Sequence, residues 1–391
     1  MAPASVTHDP LLEWRREFPT VESTLHFISH SLGAMPRGVE EALRRYAHTW
    51  KARGIRAWDE EWFALPTAVG DLLGAILHAP PGSIAMTENC THAHQIALST
   101  VDFTPERDRL VCTAEDFPSI LYLFEGLERR GARVVRVPAH DEHRIDEQDV
   151  VAAIDERTAV VAISSVLFRT AQIMDVAPIV ARAREVGARV MLDAYQAVGT
   201  LPLDLGALDV DFVAGGSVKY LCGGPGAGFL YVHPRIAQDL EPATTGWMAH
   251  ERPFDFDPGP QRRDPGPRRF WTGTPGIPSF VAAREGYAIV ERIGTAAIRA
   301  KSLRQTERML SWAGEYGFRL VSPREAERRG GSIVVDVPNA AEVCKRLLAK
   351  DLLLDFRPGV GLRLAPHFYT RDDEVDLAMR RVRDEVQATR A

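Results

Sequence analysis

The chain has 391 residues, of which 45% are hydrophobic and 26% are charged, and its formal net charge at pH 7 is −6. This is the composition of a globular protein, and the length suits two domains with a sizeable core. The acidic balance argues against a surface that binds nucleic acid or an anionic membrane, and no apolar stretch approaches the length that spans a bilayer.

The middle of the chain predicts short buried strands that alternate with amphipathic helices. The expected strands lie at 108–117, 132–139, 158–168 and 188–196, and the helices between them at 118–131, 146–155 and 175–187. Continuously apolar strands separated by helices indicate a mostly parallel sheet that is covered on both faces. Ligands bind such sheets beyond the C-terminal ends of the strands, so we expect the chemistry in the loops that follow them.

The pattern changes after about residue 280. Residues 279–317 predict one or two long helices. The remainder predicts a smaller α+β layer, with strands near 318–323, 330–338 and 359–366 and helices near 340–351 and 372–386. The C-terminal part is therefore expected to form a domain of its own.

The segment 244–275 is rich in glycine, proline and tryptophan and predicts a long loop. Loops of that length in compact domains are usually functional or disordered. We expect three parts: an N-terminal segment (1–55) that packs with the small domain, a large domain (56–284) that binds the ligand, and a small C-terminal domain (285–391).

The four cysteines lie far apart in the sequence, at Cys90, Cys112, Cys222 and Cys344. They form no C-x-x-C pair, and no histidine follows them at zinc-finger spacing. They fit a reducing cytoplasm better than a disulfide framework or a metal site. We therefore expect a cytoplasmic protein without a bound metal.

One lysine lies between two glycine pairs in the stretch "DFVAGGSVKYLCGGPGAGFLYV". Lys219 follows a predicted strand and precedes a glycine-rich turn into the next strand. An amine held there is close to the backbone and poorly solvated. Desolvation lowers the pKa of an amine, which suits it to form a Schiff base with a carbonyl. The alternative is a surface lysine in a hairpin.

An aspartate, Asp193, ends the strand "ARVMLDA", one loop and one strand before Lys219. Pyridoxal 5′-phosphate (PLP) enzymes need a carboxylate that keeps the pyridine nitrogen protonated and a lysine that holds the aldehyde. The two residues together therefore predict PLP as the cofactor. Asp193 could instead be a helix N-cap.

A phosphate site is predicted where the stretch "GSIAMTENCTHAHQIALST" passes from a short strand into a helix near Asn89. Free N–H groups and the positive end of the helix dipole bind a phosphate dianion well. The backbone N–H of Cys90 and the hydroxyls of Thr91 and Ser217 are the expected contacts. Asn89 and Thr91 could equally be ordinary helix caps.

These residues resemble the class V, fold-type I PLP enzymes, and within that group the chain is similar to the kynureninases from about His30 to the last helix. The most particular matches are "TTGWMAHERPFDFD", "RRFWTGTP" and "GLRLAPHFYT". The resemblance implies an α/β fold. Its large domain would hold a mostly parallel seven-stranded sheet between helices, followed by a smaller α+β C-terminal domain.

The resemblance also implies roles around the cofactor. Phe117 matches the aromatic residue that stacks on the cofactor ring, although a core phenylalanine is the alternative. Trp247 and Thr274 match positions that reach the phosphate across a dimer interface. The resemblance therefore implies an obligate homodimer whose active sites are shared.

At the substrate end, Arg363 matches the arginine that binds the α-carboxylate of an amino acid, since a guanidinium forms two parallel hydrogen bonds with a carboxylate. His30, Ser31, Arg56 and Trp58 match loops near the substrate. Each could instead be structural, and Trp58 is spaced four residues from another tryptophan, as on one face of a helix.

Three positions depart from the kynureninase pattern. Val218 replaces a tyrosine directly before the lysine, which removes one phosphate contact. Gln196, which we still assign to the cofactor site, replaces a histidine, as in cysteine desulfurases. Ile120 replaces an aspartate shortly after the stacking aromatic.

The expected reaction is hydrolytic Cβ–Cγ cleavage, which gives alanine and an anthranilate-type acid from L-kynurenine or 3-hydroxykynurenine. The alternatives are a C–S or β-elimination lyase, a class V aminotransferase, and a regulator or scaffold without activity. Persulfide chemistry is disfavoured because no cysteine lies between Lys350 and Arg363.

Overall fold

The computed structural model describes residues 9–140 and 143–390. Within them the strands are, in chain order, β1 (Leu25–His26), β2 (Ile84–Thr87), β3 (Arg109–Thr113), β4 (Arg133–Val137), β5 (Thr158–Ser164), β6 (Arg189–Asp193), β7 (Phe212–Gly216), β8 (Gly228–Val232), β9 (Arg319–Leu320), β10 (Ile333–Asp336), β11 (Leu352–Leu353), β12 (Asp355–Arg357) and β13 (Gly361–Leu364). The helices are α1 (Gly38–Arg53), α2 (Leu65–Leu77), α3 (Cys90–Leu98), α4 (Pro118–Leu127), α5 (Glu147–Ala153), α6 (Ala177–Glu185), α7 (Pro234–Ala237), α8 (Ile277–Ile293), α9 (Thr295–Glu315), α10 (Ala340–Leu348) and α11 (Asp372–Ala388).

The large sheet has seven strands in the order β2-β8-β7-β6-β5-β3-β4 within the described residues. Strands β3, β4, β5, β6 and β7 are parallel to one another. Strand β8 is antiparallel to both of its neighbours, β7 and β2. The fold-type I prediction of a mostly parallel seven-stranded sheet is therefore confirmed. The C-terminal ends of the parallel strands meet at one edge, where the predicted chemistry is expected.

Both faces of this sheet are buried, because successive side chains of a strand point to opposite faces. In β5, Val161 and Ile163 belong to one core cluster, whereas Val160 and Ala162 belong to a second cluster on the other face. Every residue of β5 is buried. A strand enclosed on both faces has the continuous apolar sequence from which it was predicted.

The C-terminal part contains a four-stranded antiparallel sheet in the order β12-β13-β10-β9, and it has a separate core cluster with α9, α10 and α11. The predicted long helical stretch is two helices, because Gly294 takes a positive φ of 80° between α8 and α9. Segment 244–275 holds only short 3₁₀ turns. No helix among the described residues combines the length and apolarity needed to cross a membrane.

The N-terminal segment pairs with the C-terminal part. Strand β1 runs parallel to β11, with Leu25 opposite Leu352. Beyond β1, Ile28 forms a parallel bridge with Ala365, which directly follows β13. This pairing brings residues near position 30 next to the small sheet.

Candidate active site

A cavity opens at the C-terminal edge of the large sheet. Six of the nine predicted cofactor residues line it, namely Cys90, Thr91, Phe117, Asp193, Gln196 and Lys219. The other lining residues are Asn89, Ile120, Ser164, Val166, Phe168 and Tyr195. The lysine and the aspartate on which the cofactor prediction depends therefore share one cavity.

Asp193 is the last residue of β6 and is held by its neighbours. Its Oδ1 accepts a hydrogen bond from the Tyr195 backbone N–H at 2.8 Å, and its Oδ2 accepts one from the Cys90 thiol at 3.6 Å. Burial raises the pKa of Cys90 well above its usual value, so this thiol keeps its proton. One turn later, His94 donates from Nδ1 to the Cys90 carbonyl at 3.0 Å. These contacts fix the carboxylate at the cavity wall.

Lys219 lies just beyond β7, and its amine faces the cavity between two aromatic rings. Its Nζ lies 4.1 Å from the ring centroid of Tyr195 and 5.9 Å from that of Phe117. Desolvation by the surrounding walls, opposed by the charge of Asp193, lowers the pKa of Lys219 to about 8. A substantial fraction of this amine is therefore neutral near pH 8 and can attack a carbonyl.

The first turn of α3 forms another part of the wall. Asn89 is its N-cap, and its side chain accepts a hydrogen bond from the His92 N–H at 2.9 Å. The N–H groups of Cys90 and Thr91 belong to the first turn, which has no intrahelical partners for them. Together with the helix dipole they form a site suited to an anion.

Phe117 is positioned by the residue before it. Asp116 accepts hydrogen bonds from the Thr113 N–H at 2.8 Å and the Ser164 N–H at 2.7 Å, and it therefore ties the ends of β3 and β5 together. Burial raises the pKa of Asp116 to about 6. The Phe117 ring stands edge-on to Phe168 at 5.2 Å between centroids.

Arg363 lies on β13, opposite Asp355 on β12. Its Nε and Nη2 donate to the two Asp355 oxygens at 2.7 and 2.5 Å, and its Nη1 donates to the Phe168 carbonyl at 2.6 Å. A guanidinium has five N–H donors, so two remain for another acceptor. Burial alone would raise the pKa of Asp355, but His30 and Arg363 hold it well below its usual range.

His30 completes this group. Its Nε2 lies 3.1 Å from Asp355 Oδ1, and no described residue contacts its buried Nδ1 with a hydrogen bond. Burial and then the Arg363 cation lower the pKa of His30 to about 4, against a raising effect of Asp355. The ring is therefore neutral at pH 7, and Nε2–H is the donor to Asp355.

Other predicted residues lie elsewhere in this chain. Ser217 is fully buried, donates to the Ala227 carbonyl at 2.7 Å and accepts from the Tyr287 hydroxyl at 2.6 Å, and it does not line the cavity, so its contact with the phosphate stays a prediction. Trp247 stacks on Phe256 in the long loop. Neither Trp247 nor Thr274 lines the cavity.

None of the four predicted substrate-binding residues lines this cavity, namely His30, Ser31, Trp58 and Arg363. Trp58 contacts Trp62 edge-to-face at 5.6 Å, which is the helix-face alternative that its spacing indicated. Ser31 is partly buried and donates its backbone N–H to the Ile28 carbonyl at 2.8 Å.

Two residues of the site were missed in the sequence. Tyr195 lies two positions after Asp193, and its place beside an aspartate at a strand end is the signal that could have identified it. Asp355 lies across a turn from Arg363, and an acid and a base on either side of "RPG" are the signal of a cross-strand ion pair.

The residues present fit PLP. The free N–H groups at α3 suit the phosphate, the Asp193 carboxylate suits the pyridine nitrogen, and the Lys219 amine suits the aldehyde. The rings of Phe117 and Tyr195 line the space between these groups. Each chemical feature of the cofactor thus has a complementary group in one cavity.

The chain is similar in sequence to a known family and to curated proteins. The family model "Aminotransferase class-V" matches residues 34–353. The kynureninase of Bacillus thuringiensis subsp. konkukian is 31% identical over 376 residues, covering 92% of this chain and 87% of the relative. The kynureninase of Burkholderia pseudomallei is 31% identical over 390 residues, covering 96% of this chain and 92% of the relative.

Solved structures share the fold. The apo structure of a cysteine desulfurase from Thermococcus onnurineus NA1 superposes with a TM-score of 0.86 at 20% identity, covering 98% of this chain and 100% of that one. The cystine C–S lyase C-DES, in complex with its product cysteine persulfide, gives a TM-score of 0.85 at 22% identity, covering 94% and 99%. At these identities the likeness extends to the fold alone.

Proposed function

The chain belongs to the aminotransferase class-V family of PLP enzymes, and we propose that its own reaction is kynureninase-like. Its cofactor is pyridoxal 5′-phosphate. The proposed reaction is the hydrolytic cleavage of the Cβ–Cγ bond of L-kynurenine or 3-hydroxykynurenine. The products are alanine and anthranilate or its 3-hydroxy derivative.

In this proposal the residues of the cavity each bind one part of the cofactor. Lys219 holds it covalently through Nζ, and Asp193 keeps a proton on its ring nitrogen. The N–H groups of Cys90 and Thr91 bind its phosphate, and Phe117 covers its ring and excludes water. When bound, PLP takes up the electron pair that is released at the substrate α-carbon.

Lys219 is also the proposed acid and base. Its pKa of about 8 allows the amine to accept a proton near neutral pH and to release it again. The α-proton of the substrate lies close to this amine only if the substrate is bound in one orientation. We assign the role of fixing that orientation to Arg363.

The observation that carries the proposal is the pair of unused N–H donors on the Arg363 guanidinium, in a chain that has kynureninase relatives. Asp355 and the Phe168 carbonyl use three of the five guanidinium donors, and the remaining two suit an α-carboxylate. Phe168 also lines the cavity that contains Lys219. A carboxylate held by Arg363 would therefore orient the substrate toward the lysine.

The experiment compares two substrate classes on the pure holoenzyme. We expect L-kynurenine or 3-hydroxykynurenine to yield alanine and the fluorescent aromatic acid in equal amounts. L-cystine and L-cysteine are assayed in parallel for pyruvate and sulfide. Lys219→Ala serves as the control and should form neither set of products. Pyruvate from cystine, with no aromatic acid from either kynurenine, would assign the chain to the lyases instead.

A second candidate, a C–S or β-elimination lyase, is favoured by two residues in the cavity. Ile120 and Gln196 stand where the kynureninase resemblance expects an aspartate and a histidine, and both line the cavity. They leave fewer groups able to exchange protons near the ring. An aminotransferase would need the same cavity and a keto acid as second substrate, so adding pyruvate to the assay tests for it.

We also propose a homodimer in which Trp247 and Thr274 complete the partner's site. Trp247 is 40% exposed and forms an exposed aromatic cluster with Phe254 and Phe256. Leu32 and Met35 are exposed beside an apolar groove. Exposed apolar groups of this kind are typical of an interface.

Mixed dimers test this sharing of sites. Lys219→Ala and Trp247→Ala subunits are each expected to be inactive alone. When the two are unfolded and refolded together, half of the sites in each hybrid dimer are free of both substitutions, so activity should return to about a quarter of the native value. Absence of recovery in a mixture shown to contain hybrid dimers would mean that Trp247 acts within its own subunit.

The proposed working compartment is the reducing cytoplasm. All four cysteines are free and buried. Burial raises the pKa of Cys222 to about 12, so this thiol stays protonated and unreactive. Thiols of this kind need no oxidising environment.

A further inference from the structure

The ring of Tyr195 forms one wall of the cavity and contacts the active amine. Lys219 Nζ lies over its face, 4.1 Å from the ring centroid. A cation within about 6 Å of an aromatic face is attracted by the electron-rich ring, and the attraction grows where water is excluded. The Phe117 ring is at the outer limit of that range, at 5.9 Å. Tyr195 is therefore the stronger of the two aromatic contacts.

The fold builds this position of Tyr195 from three sides. Its backbone N–H donates to Asp193 Oδ1 at 2.8 Å. Its ring lies against the backbone of Gly216, where a Cβ atom would come within 2.8 Å of the Tyr195 hydroxyl, so only glycine fits. On the third side, the Val218 backbone lies close to the hydroxyl. The side chain is thus fixed at the end of β7, beside the lysine.

We propose that Tyr195 is a positioning residue for Lys219, whose nitrogen it holds in the cationic form over its ring face. The same interaction would favour the protonated nitrogen when the lysine carries the cofactor. The inference rests on the proposed role of Lys219 and is independent of the substrate. The kynureninase resemblance expects a tyrosine at position 218, where this chain has Val218. The proposal gives Tyr195 a function close to that position.

The charged groups that face Lys219 act on its nitrogen in both directions. The charge of Asp193 favours the cation, whereas the charges of Arg363 and Arg357 oppose it. His30 lies near enough for the Lys219 charge to contribute to its lowered pKa of about 4, and it is neutral at pH 7.

The two remaining neighbours carry no charge either. The Cys90 thiol keeps its proton, because burial raises its pKa well above the usual value. Burial likewise raises the pKa of the Tyr195 hydroxyl. Neither group ionises in the working range, so neither adds a charge that would mask the effect of the Tyr195 ring on the nitrogen.

The test is a pH titration of the holoenzyme, followed by the absorbance of its lysine-bound cofactor. Tyr195→Leu removes the ring, and Tyr195→Phe removes only the hydroxyl. Cation–π attraction is lost in the leucine variant, so its midpoint should fall by about 0.4–1.5 pH units, while the phenylalanine variant keeps the native midpoint. Tyr195→Met, which is closer in volume, repeats the measurement should the leucine variant bind the cofactor poorly.

The outcomes separate this inference from the proposed function. A native midpoint in Tyr195→Leu and Tyr195→Met would overturn it, since the ring would then have no effect on the nitrogen. An equal fall in Tyr195→Phe would also overturn it, because the hydroxyl and not the ring face would be responsible. If the native holoenzyme showed no lysine-bound absorbance, the role proposed for Lys219 would fail instead.

Discussion

The cofactor end of the proposed active site takes its side chains from neighbouring strand ends of one sheet, whereas the proposed substrate end takes them from three distant segments. Asp193 ends β6 and Lys219 lies just beyond β7, and these two strands are adjacent in the sheet. His30 lies near the N-terminus, the Phe168 carbonyl follows β5, and Arg363 belongs to the small sheet. One end depends on a single sheet, and the other depends on how separate parts pack.

This difference shows where binding specificity can change without loss of the fold. The cofactor end is fixed by parallel pairing and by a core on both faces. The substrate end depends on the β1–β11 pair and on one cross-strand ion pair, Asp355 with Arg363. Substitutions at the first end should abolish chemistry, and those at the second should change affinity and stability.

The largest effect is expected at Lys219. We predict that Lys219→Ala lowers turnover by about 10⁴-fold, because it removes both the covalent attachment and the proton-transferring amine. The measurement combines steady-state turnover with the cofactor absorbance that remains after dialysis. Val218→Ala, which leaves the amine in place, is the matched control. Turnover that survives in Lys219→Ala would remove the lysine from the mechanism.

The next effect is expected at Arg363 and should appear in KM. We predict that Arg363→Ala raises KM for the amino-acid substrate by an amount equivalent to about 2–5 kcal/mol, since one partner of a desolvated charge pair is lost. Arg363→Lys keeps the charge without the fork and should fall between. The amount of bound cofactor should stay native in both variants. An unchanged KM would place the carboxylate site elsewhere.

The same division explains what the sequence could predict. The strand at 158–168 was foreseeable because a buried parallel strand is continuously apolar, and β5 spans Thr158–Ser164. Ser217 was expected at the phosphate, but residue type does not reveal which partners a side chain meets beyond a strand end, and the contact of its hydroxyl with Tyr287 on α8 was not foreseeable. The contact between His30 and Asp355 joins segments far apart in the chain, and no local pattern specifies it.

A stability effect is expected at Asp355. We predict that Asp355→Asn lowers the free energy of unfolding at pH 7 by about 3 kcal/mol, because Arg363 would remain as a buried charge without its partner. The pKa of Asp355 is held below its unfolded value, so its contribution is present above about pH 4 and is lost as the pH falls further. The free energies of unfolding measured in urea at pH 7 and at pH 3 should therefore differ less in the variant than in the native protein. Equal differences in both proteins would contradict the role of Asp355.

The smallest effect is expected at His30, in a different pH window. Its folded pKa of about 4 lies below the unfolded value near 6.5, so the unfolded chain binds more protons between these values and stability falls as the pH drops through them. His26 and His367, whose pKa values burial lowers to about 4 and about 3, act in the same direction.

The variant His30→Gln tests this, because it keeps an N–H donor for Asp355 but cannot titrate. We expect the native protein to lose about 2 kcal/mol more than this variant between pH 7 and pH 5. His48→Gln, at an exposed position on α1, is the control and should lose as much as the native protein. An identical loss in His30→Gln would mean that the folded protein does not hold this histidine neutral. The contrast between the two ends of the proposed site would then rest on Arg363 and Asp355 alone.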